Sequence, residues 1–225
     1  MDTAKKNKID ELNNKIAQAY DSPSWWYDIR GFFILKFSYR DSLWRQIHFF
    51  SQFKGPNHLE VAIGSGTLYN LILLWRKLLF NSKVTTFGFD YAESMLAGAI
   101  KRFSKNKNIQ LQKADVTNMP YATESMDSIN ITNAAHCFPD LELSLRECLR
   151  VLKPHGLIKL NILLHPSGLS VFRKIANRIN SWGMKKGILF KPYSLEEIEE
   201  IVKKLTVKNY NLRVHGNACY VELEK

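Results

Sequence analysis

Residues 58–67 read HLEVAIGSGT and join an apolar, strand-like run to a turn of small residues. Glu60 lies inside the run, and Ala62, Gly64 and Gly66 follow at alternate positions. In an open parallel sheet, ligands bind beyond the carboxyl ends of the strands, and small residues in the first strand-to-helix turn let the backbone approach them. We therefore predict that these four residues form a ligand-binding turn.

Strand-like and helix-like segments alternate after this stretch. Predicted strands cover 58–63, 84–89, 109–114, 126–132 and 156–164, and predicted helices cover 67–80, 93–103, 141–152 and 194–205. Strands separated by helices at this spacing indicate a parallel sheet covered on both faces. The predicted fold class is therefore α/β, with a doubly wound, Rossmann-like, mostly parallel sheet.

The C-terminal segment departs from this alternation. Two β-like stretches, 207–215 and 218–225, are joined by only Gly216 and Asn217. A two-residue loop of this kind favours a hairpin with a primed turn. We expect an antiparallel C-terminal hairpin to complete the sheet.

An acid ends the second predicted strand. Asp90 follows Gly66 by 24 residues, near the spacing of about 20 residues expected for an acid that binds a ribose. The alternative is that Asp90 only caps the helix that follows it. A dinucleotide site is disfavoured, because Tyr69 stands where GxGxxG requires its third glycine. A nicotinamide-dependent oxidoreductase is thus the weaker interpretation.

Composition restricts the setting and the partners. The net charge of +11 suggests an anionic partner, such as nucleic acid, an acidic lipid surface or an anionic small molecule, or else only a lysine-rich soluble surface. Cys137, Cys148 and Cys219 show neither a disulfide framework nor zinc-ligand spacing. The apolar runs are too short to span a bilayer, and residues 1–15 lack an apolar leader. We expect a cytoplasmic protein.

The N-terminal quarter is rich in aromatic residues. Residues 4–20 have the apolar spacing of an amphipathic helix, and KGPN at 54–57 is a turn signal. We predict a helical aromatic cap over residues 1–54 and a ligand-binding domain over 55–225. The aromatic residues expected to roof the acceptor site are Trp25, Trp26, Tyr27, Phe32, Phe33, Phe37 and Trp44. Tyr27 and His48 are candidate substrate contacts.

Six motifs in order resemble those of the class I S-adenosyl-L-methionine-dependent methyltransferases, particularly the ubiquinone and menaquinone biosynthesis C-methyltransferases. The motifs are LEVAIGSGT, FGFDYAESML, LQKADVTNMPY, SINITNAAHCFPD, LRECLRVLKPHG and the closing hairpin. Two positions depart from the family pattern. Ala62 replaces the first glycine of the turn, a mild change that we expect cofactor binding to survive, and His155 replaces a glycine away from the cofactor.

The resemblance implies a cofactor, S-adenosyl-L-methionine, and a role for each matching residue. Glu60, Gly64 and Gly66 would shape the pocket for its methionine end, with Ala62 in the same turn. Asp90 would hold the ribose, and Tyr91 would lie against the adenine. The remaining expected contacts are Asp115 with the adenine amino group, the Val116 backbone beside it, and Asn133 near the transferred methyl group.

The implied activity is methyl transfer to a small, hydrophobic or aromatic acceptor, which requires no metal ion. His136 lies just past the fourth strand and is the candidate catalytic base; the alternative is a packed or substrate-orienting histidine. Nucleic acid is disfavoured as a substrate, because NAAHCF lacks the Pro-Pro-aromatic motif of base-modifying relatives. The alternative function is a protein that binds the cofactor on the same fold but has a non-methyltransferase or regulatory role.

A basic insertion follows the fifth strand at about 165–192. Phe172, Ile175, Ile179 and Trp182 have helical spacing, and the segment carries six lysines and arginines without an acid. Such a helix either lies on an anionic membrane surface or packs as a lid with its lysines in water. The sequence also permits a homodimer.

Overall fold

The computed structural model describes residues 31–79 and 84–225, together with Asn7, Glu11, Leu12, Asn14, Lys15 and Gln18. These six N-terminal residues are helical, as predicted for 4–20. Trp25, Trp26 and Tyr27 lie outside the described residues, so the predicted acceptor contact of Tyr27 stays a prediction.

The described residues form a seven-stranded sheet in the order β3-β2-β1-β4-β5-β7-β6. Its strands are β1 Asn57–Val61, β2 Thr85–Asp90, β3 Ile109–Lys113, β4 Met126–Ile131, β5 Leu152–Leu163, β6 Asn209–His215 and β7 Ala218–Glu224. The first five strands pair in parallel, and β7 is antiparallel to both β5 and β6. The prediction of a mostly parallel sheet with an antiparallel C-terminal hairpin is confirmed.

Helices cover the sheet and its carboxyl edge. They are a π-helix Ile34–Tyr39, α1 Leu43–Phe50, α2 Thr67–Leu79, α3 Glu93–Phe103, α4 Leu141–Val151, α5 Ser170–Lys185 and α6 Leu195–Lys203. The side chain of Ser42 caps α1, that of Asp140 caps α4, and Ser194 with Glu197 forms a capping box at α6.

The described part of the cap shares a hydrophobic core with the rest of the chain. Leu35, Ile47 and Phe50 pack in one buried cluster with Ile72 of α2 and Tyr220 of β7. Burying such side chains stabilises the fold by about 1.5–3 kcal/mol each. The cap is therefore anchored over the sheet, while its status as a separate domain stays a prediction.

The turn of the C-terminal hairpin holds the end of the π-helix in place. Asn217 is fully buried; its side-chain Nδ2 donates to Ser38 O at 2.7 Å, and its backbone nitrogen donates to Tyr39 O at 2.7 Å. Gly216 has φ +59, and a Cβ there would lie 2.4 Å from Arg40 O. Glycine at this turn allows the hairpin to approach closely enough to fix Tyr39 above the sheet.

Candidate active site

A cavity of about 420 Å³ lies at the carboxyl ends of the parallel strands, beneath the π-helix and α5. This is the position where open α/β sheets bind ligands, and the volume is that of a small-molecule site. Nine of the predicted cofactor-binding and catalytic residues line it: Glu60, Ala62, Gly64, Asp90, Tyr91, Asp115, Val116, Asn133 and His136.

The turn after β1 is left-handed at alternate residues. Ala62 has φ +53, Gly64 has φ +61 and Gly66 has φ +73. A Cβ on Gly64 would meet no atom within 4 Å, so the bare backbone there borders open space in the cavity. A Cβ on Gly66 would instead lie 2.5 Å from the Phe103 ring. Gly66 therefore serves the packing of the turn on α3 and does not line the cavity.

Asp90 links this turn to the end of β2. Its Oδ2 accepts from Gly64 N at 2.8 Å, and its Oδ1 accepts from Ala92 N at 2.9 Å. Burial raises the pKa of this carboxyl to about 6, although the backbone donors oppose the shift. The N-cap of α3 is Ala92, so Asp90 is not the helix cap that the alternative interpretation required.

The predicted adenine contacts lie together at the ends of β2 and β3. Asp115 is half-buried, and its Oδ1 accepts from the backbone and the hydroxyl of Thr117 at 2.7 and 2.9 Å. Val116 is buried beside it. Tyr91 is half-buried, and its hydroxyl donates to Asn14 Oδ1 at 2.9 Å. This end of the cavity thus presents a carboxylate and an aromatic ring.

Three amide side chains join β4, β5 and α1 at the middle of the cavity. Asn133 has φ +54, and its Oδ1 and Nδ2 pair with Gln46 at 2.8 and 2.9 Å. Asn161 Oδ1 accepts from Asn133 N at 2.7 Å, and Asn161 Nδ2 donates to Asn133 Oδ1. Gln46 and Asn161 are both fully buried. The predicted residue Asn133 is therefore held by two partners that the sequence analysis missed.

Glu60 belongs to a buried polar group under the turn. Its Oε1 bonds to His58 Nε2 at 2.8 Å and accepts from Asn130 Nδ2 at 2.8 Å. Burial lowers the pKa of His58, and the neighbouring Glu60 opposes that shift. Glu60 lines the cavity, but these bonds turn its carboxylate toward the sheet, where it fixes the end of β1.

His136 faces the cavity from the 3-10 turn Ala135–Cys137. The Tyr39 hydroxyl lies 2.9 Å from its Nε2 and 3.2 Å from its Nδ1. Burial lowers the pKa of His136 to about 3, far from the neutral value that suits a general base. The geometry favours the alternative interpretation, a neutral histidine that orients a substrate.

The end of the cavity nearest the cap is apolar. The apolar lining residues there are Phe32, Leu35, Ile179, Trp182, Ile188 and Leu189. Asn180 of α5 also lies in this wall, and its Oδ1 accepts from Ser38 Oγ at 2.5 Å. Among the described residues its Nδ2 has no hydrogen-bond partner. Neither Asn180 nor Ser38 was predicted from the sequence to lie at the site.

Several predicted acceptor contacts lie elsewhere. His48 is exposed on α1, bonds to Gln52 and does not line the cavity, so the position expected for it was wrong. Of the aromatic roof, Phe32 lines the cavity, whereas Phe33, Phe37 and Trp44 are exposed and do not. The π-helix and α1 turn these three side chains outward.

The residues present fit an adenosyl cofactor. Two carboxylates and an aromatic ring lie at one end of the cavity, and a backbone without a side chain lies at Gly64. Thr132 Oγ1, just past β4, is buried with no hydrogen-bond partner within the described ranges. These oxygens can accept hydrogen bonds from the hydroxyl, amino and ammonium groups of such a ligand.

No helix in the described part of the chain is long and apolar enough to cross a membrane.

The chain is similar to known methyltransferases in sequence. Residues 59–160 match the methyltransferase domain family. The demethylmenaquinone methyltransferase of Staphylococcus epidermidis is 29% identical over 161 residues, which cover 69% of this chain and 60% of that protein. An uncharacterized chloroplastic methyltransferase of Arabidopsis thaliana is 30% identical over 141 residues, covering 58% and 38%. The match thus spans about 60% of the length of the Staphylococcus relative.

The fold is also that of solved proteins. An S-adenosylmethionine-dependent methyltransferase from Thermotoga maritima superposes with a TM-score of 0.63 at 15% identity, covering 88% of this chain and 96% of that one. The predicted resemblance is confirmed, and it implies S-adenosylmethionine as the cofactor. Residues 59–160 therefore match a methyltransferase domain family, and the chain has the class I S-adenosylmethionine-dependent methyltransferase fold.

Proposed function

We propose that this protein is an S-adenosylmethionine-dependent methyltransferase whose acceptor is a small, hydrophobic or aromatic molecule. The observation that carries the proposal is the division of one cavity into two ends. Asp90 and Asp115 lie at the first end, while Phe32, Ile179 and Trp182 line the second. A polar cofactor and an apolar acceptor would therefore meet near Asn133 and His136.

The cofactor supplies an activated methyl group on a cationic sulfonium. Asp90 is proposed to hold the ribose, Asp115 and Tyr91 the adenine, and the turn at Ala62 and Gly64 the amino-acid end. The apolar wall excludes water, and alignment of two reactants in such a site can lower a barrier by about 7–11 kcal/mol. The apolar end of the cavity is thus proposed to act mainly by positioning the acceptor.

The Tyr39–His136 pair is proposed to orient the acceptor. His136 is neutral near pH 7, because burial lowers its pKa to about 3. One ring nitrogen is engaged by the Tyr39 hydroxyl, and a polar atom of the acceptor can bond to the pair. A hydroxyl or carbonyl on a ring would fit this arrangement.

The similarity to a demethylmenaquinone methyltransferase supports a ring-bearing acceptor. It does not identify one, because the match covers 60% of that protein. Peripheral contact with an anionic membrane is a separate prediction, because transfer to a hydrophobic acceptor does not require it. The cytoplasmic location and the homodimer stay predictions, and nucleic acid stays disfavoured.

The test is transfer of a labelled methyl group from S-adenosylmethionine to a panel of hydroxylated aromatic compounds with and without lipid tails. We expect label in at least one ring compound with the wild type and a loss of about tenfold or more with Tyr39→Phe. Lys107→Gln, an exposed change at the opposite edge of the sheet, is the matched control. Label found only in RNA or protein would contradict the proposed acceptor class.

The alternative is a cofactor-binding protein with a non-methyltransferase or regulatory role. The low pKa of His136 favours it, because acceptors that must lose a proton lack a base there. Cofactor binding without label in any product of a cell extract would select this alternative.

A further inference from the structure

The π-helix, α5 and the residues just before each of these helices expose a group of large apolar side chains. We call this surface the apolar face; its members are Phe32, Phe33, Phe37, Leu169, Val171, Phe172, Ile175 and Trp182, all exposed. Leu169 and Val171 are 72% and 65% exposed. The two helices are in contact, since Ser38 bonds to Asn180 and the Arg40 guanidinium lies 5.7 Å from the Phe172 ring centre. The face is therefore continuous across both helices.

The arrangement around α5 is amphipathic. Ala176, Asn180 and Gly183 are its buried side. At 100° per residue, Val171, Ile175 and Trp182 fall on an adjacent stripe. Lys174, Arg178 and Lys185 fall together along the outer border of that stripe. Apolar side chains thus lie between the protein body and a row of positive charge.

No acid in the described part of the chain pairs with the positive row. Residues 165–195 contain no Asp or Glu, and within the described ranges Lys174, Arg178 and Lys185 form no ion pair. Elsewhere the basic residues are often paired, as Lys203 is with Glu199 and Arg146 is with Glu142. The charge beside the apolar face is therefore available to an anionic partner.

We propose that the apolar face docks on an anionic lipid bilayer. Helices with an apolar stripe beside Lys and Arg lie at the headgroup boundary, where apolar side chains enter the acyl region and the cations meet anionic headgroups. A protein patch of this size left in water would promote association. An anionic bilayer would bury the apolar side chains in its acyl region and would pair the positive charges with its headgroups.

The docked face contains the mouth of the cavity. Phe32 and Trp182 belong to the apolar face and also line the cavity, and Ile179 lines it between them. An apolar acceptor held in the bilayer can enter the cavity past Phe32 and Trp182 without crossing water. This step rests on the proposed function, whereas the docking itself does not.

The test compares two triple variants of the full chain. Val171→Gln with Lys174→Gln and Arg178→Gln removes one exposed apolar side chain and two charges from the docking surface. The control is Ile100→Gln with Lys105→Gln and Lys107→Gln. It also removes one exposed apolar side chain and two charges, but from α3 and the loop before β3, at the amino ends of the strands. None of these residues lines the cavity. Co-sedimentation uses vesicles of phosphatidylcholine alone or mixed with phosphatidylglycerol.

We expect the wild type and the control to bind the mixed vesicles equally and the Val171 variant to bind about 30-fold more weakly, because each of the two lost cations contributes about fivefold. Absence of wild-type binding, or equal weakening of both variants, would overturn the proposal. Binding of RNA by a wild type that does not bind vesicles would also overturn it. A dimer that is seen in sedimentation velocity and that Val171→Gln dissociates would overturn it as well. If the triple variant misfolds, Lys174→Gln with Lys185→Gln makes the same comparison.

Calorimetry with S-adenosylmethionine on the same preparations separates the two proposals. Vesicle binding without cofactor binding would refute the proposed methyltransferase and leave the docking surface standing. Cofactor binding without vesicle binding would refute the docking surface and leave the proposed methyltransferase standing.

Discussion

Asp90 Oδ2 accepts a hydrogen bond of 2.8 Å from the backbone nitrogen of Gly64. The bond joins the acid at the end of β2 to the turn after β1, two features that lie 26 residues apart. It sets the distance between the proposed ribose contact and the proposed contact for the amino-acid end of the cofactor. The carboxylate therefore shapes the cavity before any ligand enters.

Cofactor affinity should depend on the ionisation of Asp90. Its pKa of about 6 means that the carboxylate becomes protonated just below neutrality and then accepts hydrogen bonds less well. We expect affinity for S-adenosylmethionine to fall about tenfold between about pH 7 and about pH 5. Calorimetry across this range measures it. An affinity that is flat over the range would show that Asp90 does not bind the ribose.

The stability of the free protein should respond to the same group with the opposite sign. The pKa of Asp90 is raised in the folded state, so its favourable contribution is complete below the unfolded value of 3.8 and is lost as pH rises through about 6. Asp90→Asn should remove this component from the pH dependence of urea unfolding. Identical pH profiles for the variant and the wild type would contradict the burial of an ionisable group here.

Ala62→Gly should stabilise the protein. Alanine at φ +53 is strained by about 1–3 kcal/mol, and the gain in unfolded-chain entropy from glycine offsets about 0.4–1 kcal/mol of the relief. We expect the free energy of unfolding in urea to rise by about 1 kcal/mol. Ala92→Gly, at φ −80, is the control and should lower it. A loss of stability in both variants would refute the strain.

Gln46→Ala should impair the site although Gln46 lies outside the six sequence motifs. The change removes both hydrogen bonds between Gln46 and the Asn133 amide. Asn133 Oδ1 keeps its bond from Asn161, but Asn133 Nδ2 loses its Gln46 partner, and an unpaired polar group of this kind costs about 1–3 kcal/mol. Cofactor affinity should fall together with stability, because Asn133 lines the cavity. Gln52→Ala, an exposed change in the same segment, should alter neither. Unchanged affinity in Gln46→Ala would mean that Asn133 does not contact the cofactor.

His136 should not impose a pH inflection near neutrality. With a pKa of about 3 it stays neutral across the working range, so His136→Gln should lower the rate without changing the shape of kcat against pH. The measurement is a pH–rate profile of both proteins on the same acceptor. An inflection near 6.5 that disappears in the variant would restore the catalytic-base hypothesis.

Local spacing in the sequence was enough to predict the sheet, the glycine turn and Asp90. These features depend on residues close together in the chain, whereas the order of the strands in the sheet depends on distant contacts and was not predicted. Tyr39 and Gln46 were not predictable in this way, because they reach His136 and Asn133 across 97 and 87 residues. His48 was misplaced for a related reason: a helix turns neighbouring residues to different sides, and the contacts that fix its rotation are distant in sequence.

The most direct test of the account is isothermal titration of the purified protein with S-adenosylmethionine and its demethylated product, S-adenosylhomocysteine. We predict saturable binding of both by the wild type and loss of binding in Asp90→Ala, with Lys107→Ala unchanged. No heat of association for a folded wild-type protein, or undiminished binding by Asp90→Ala, would contradict the assignment of this cavity.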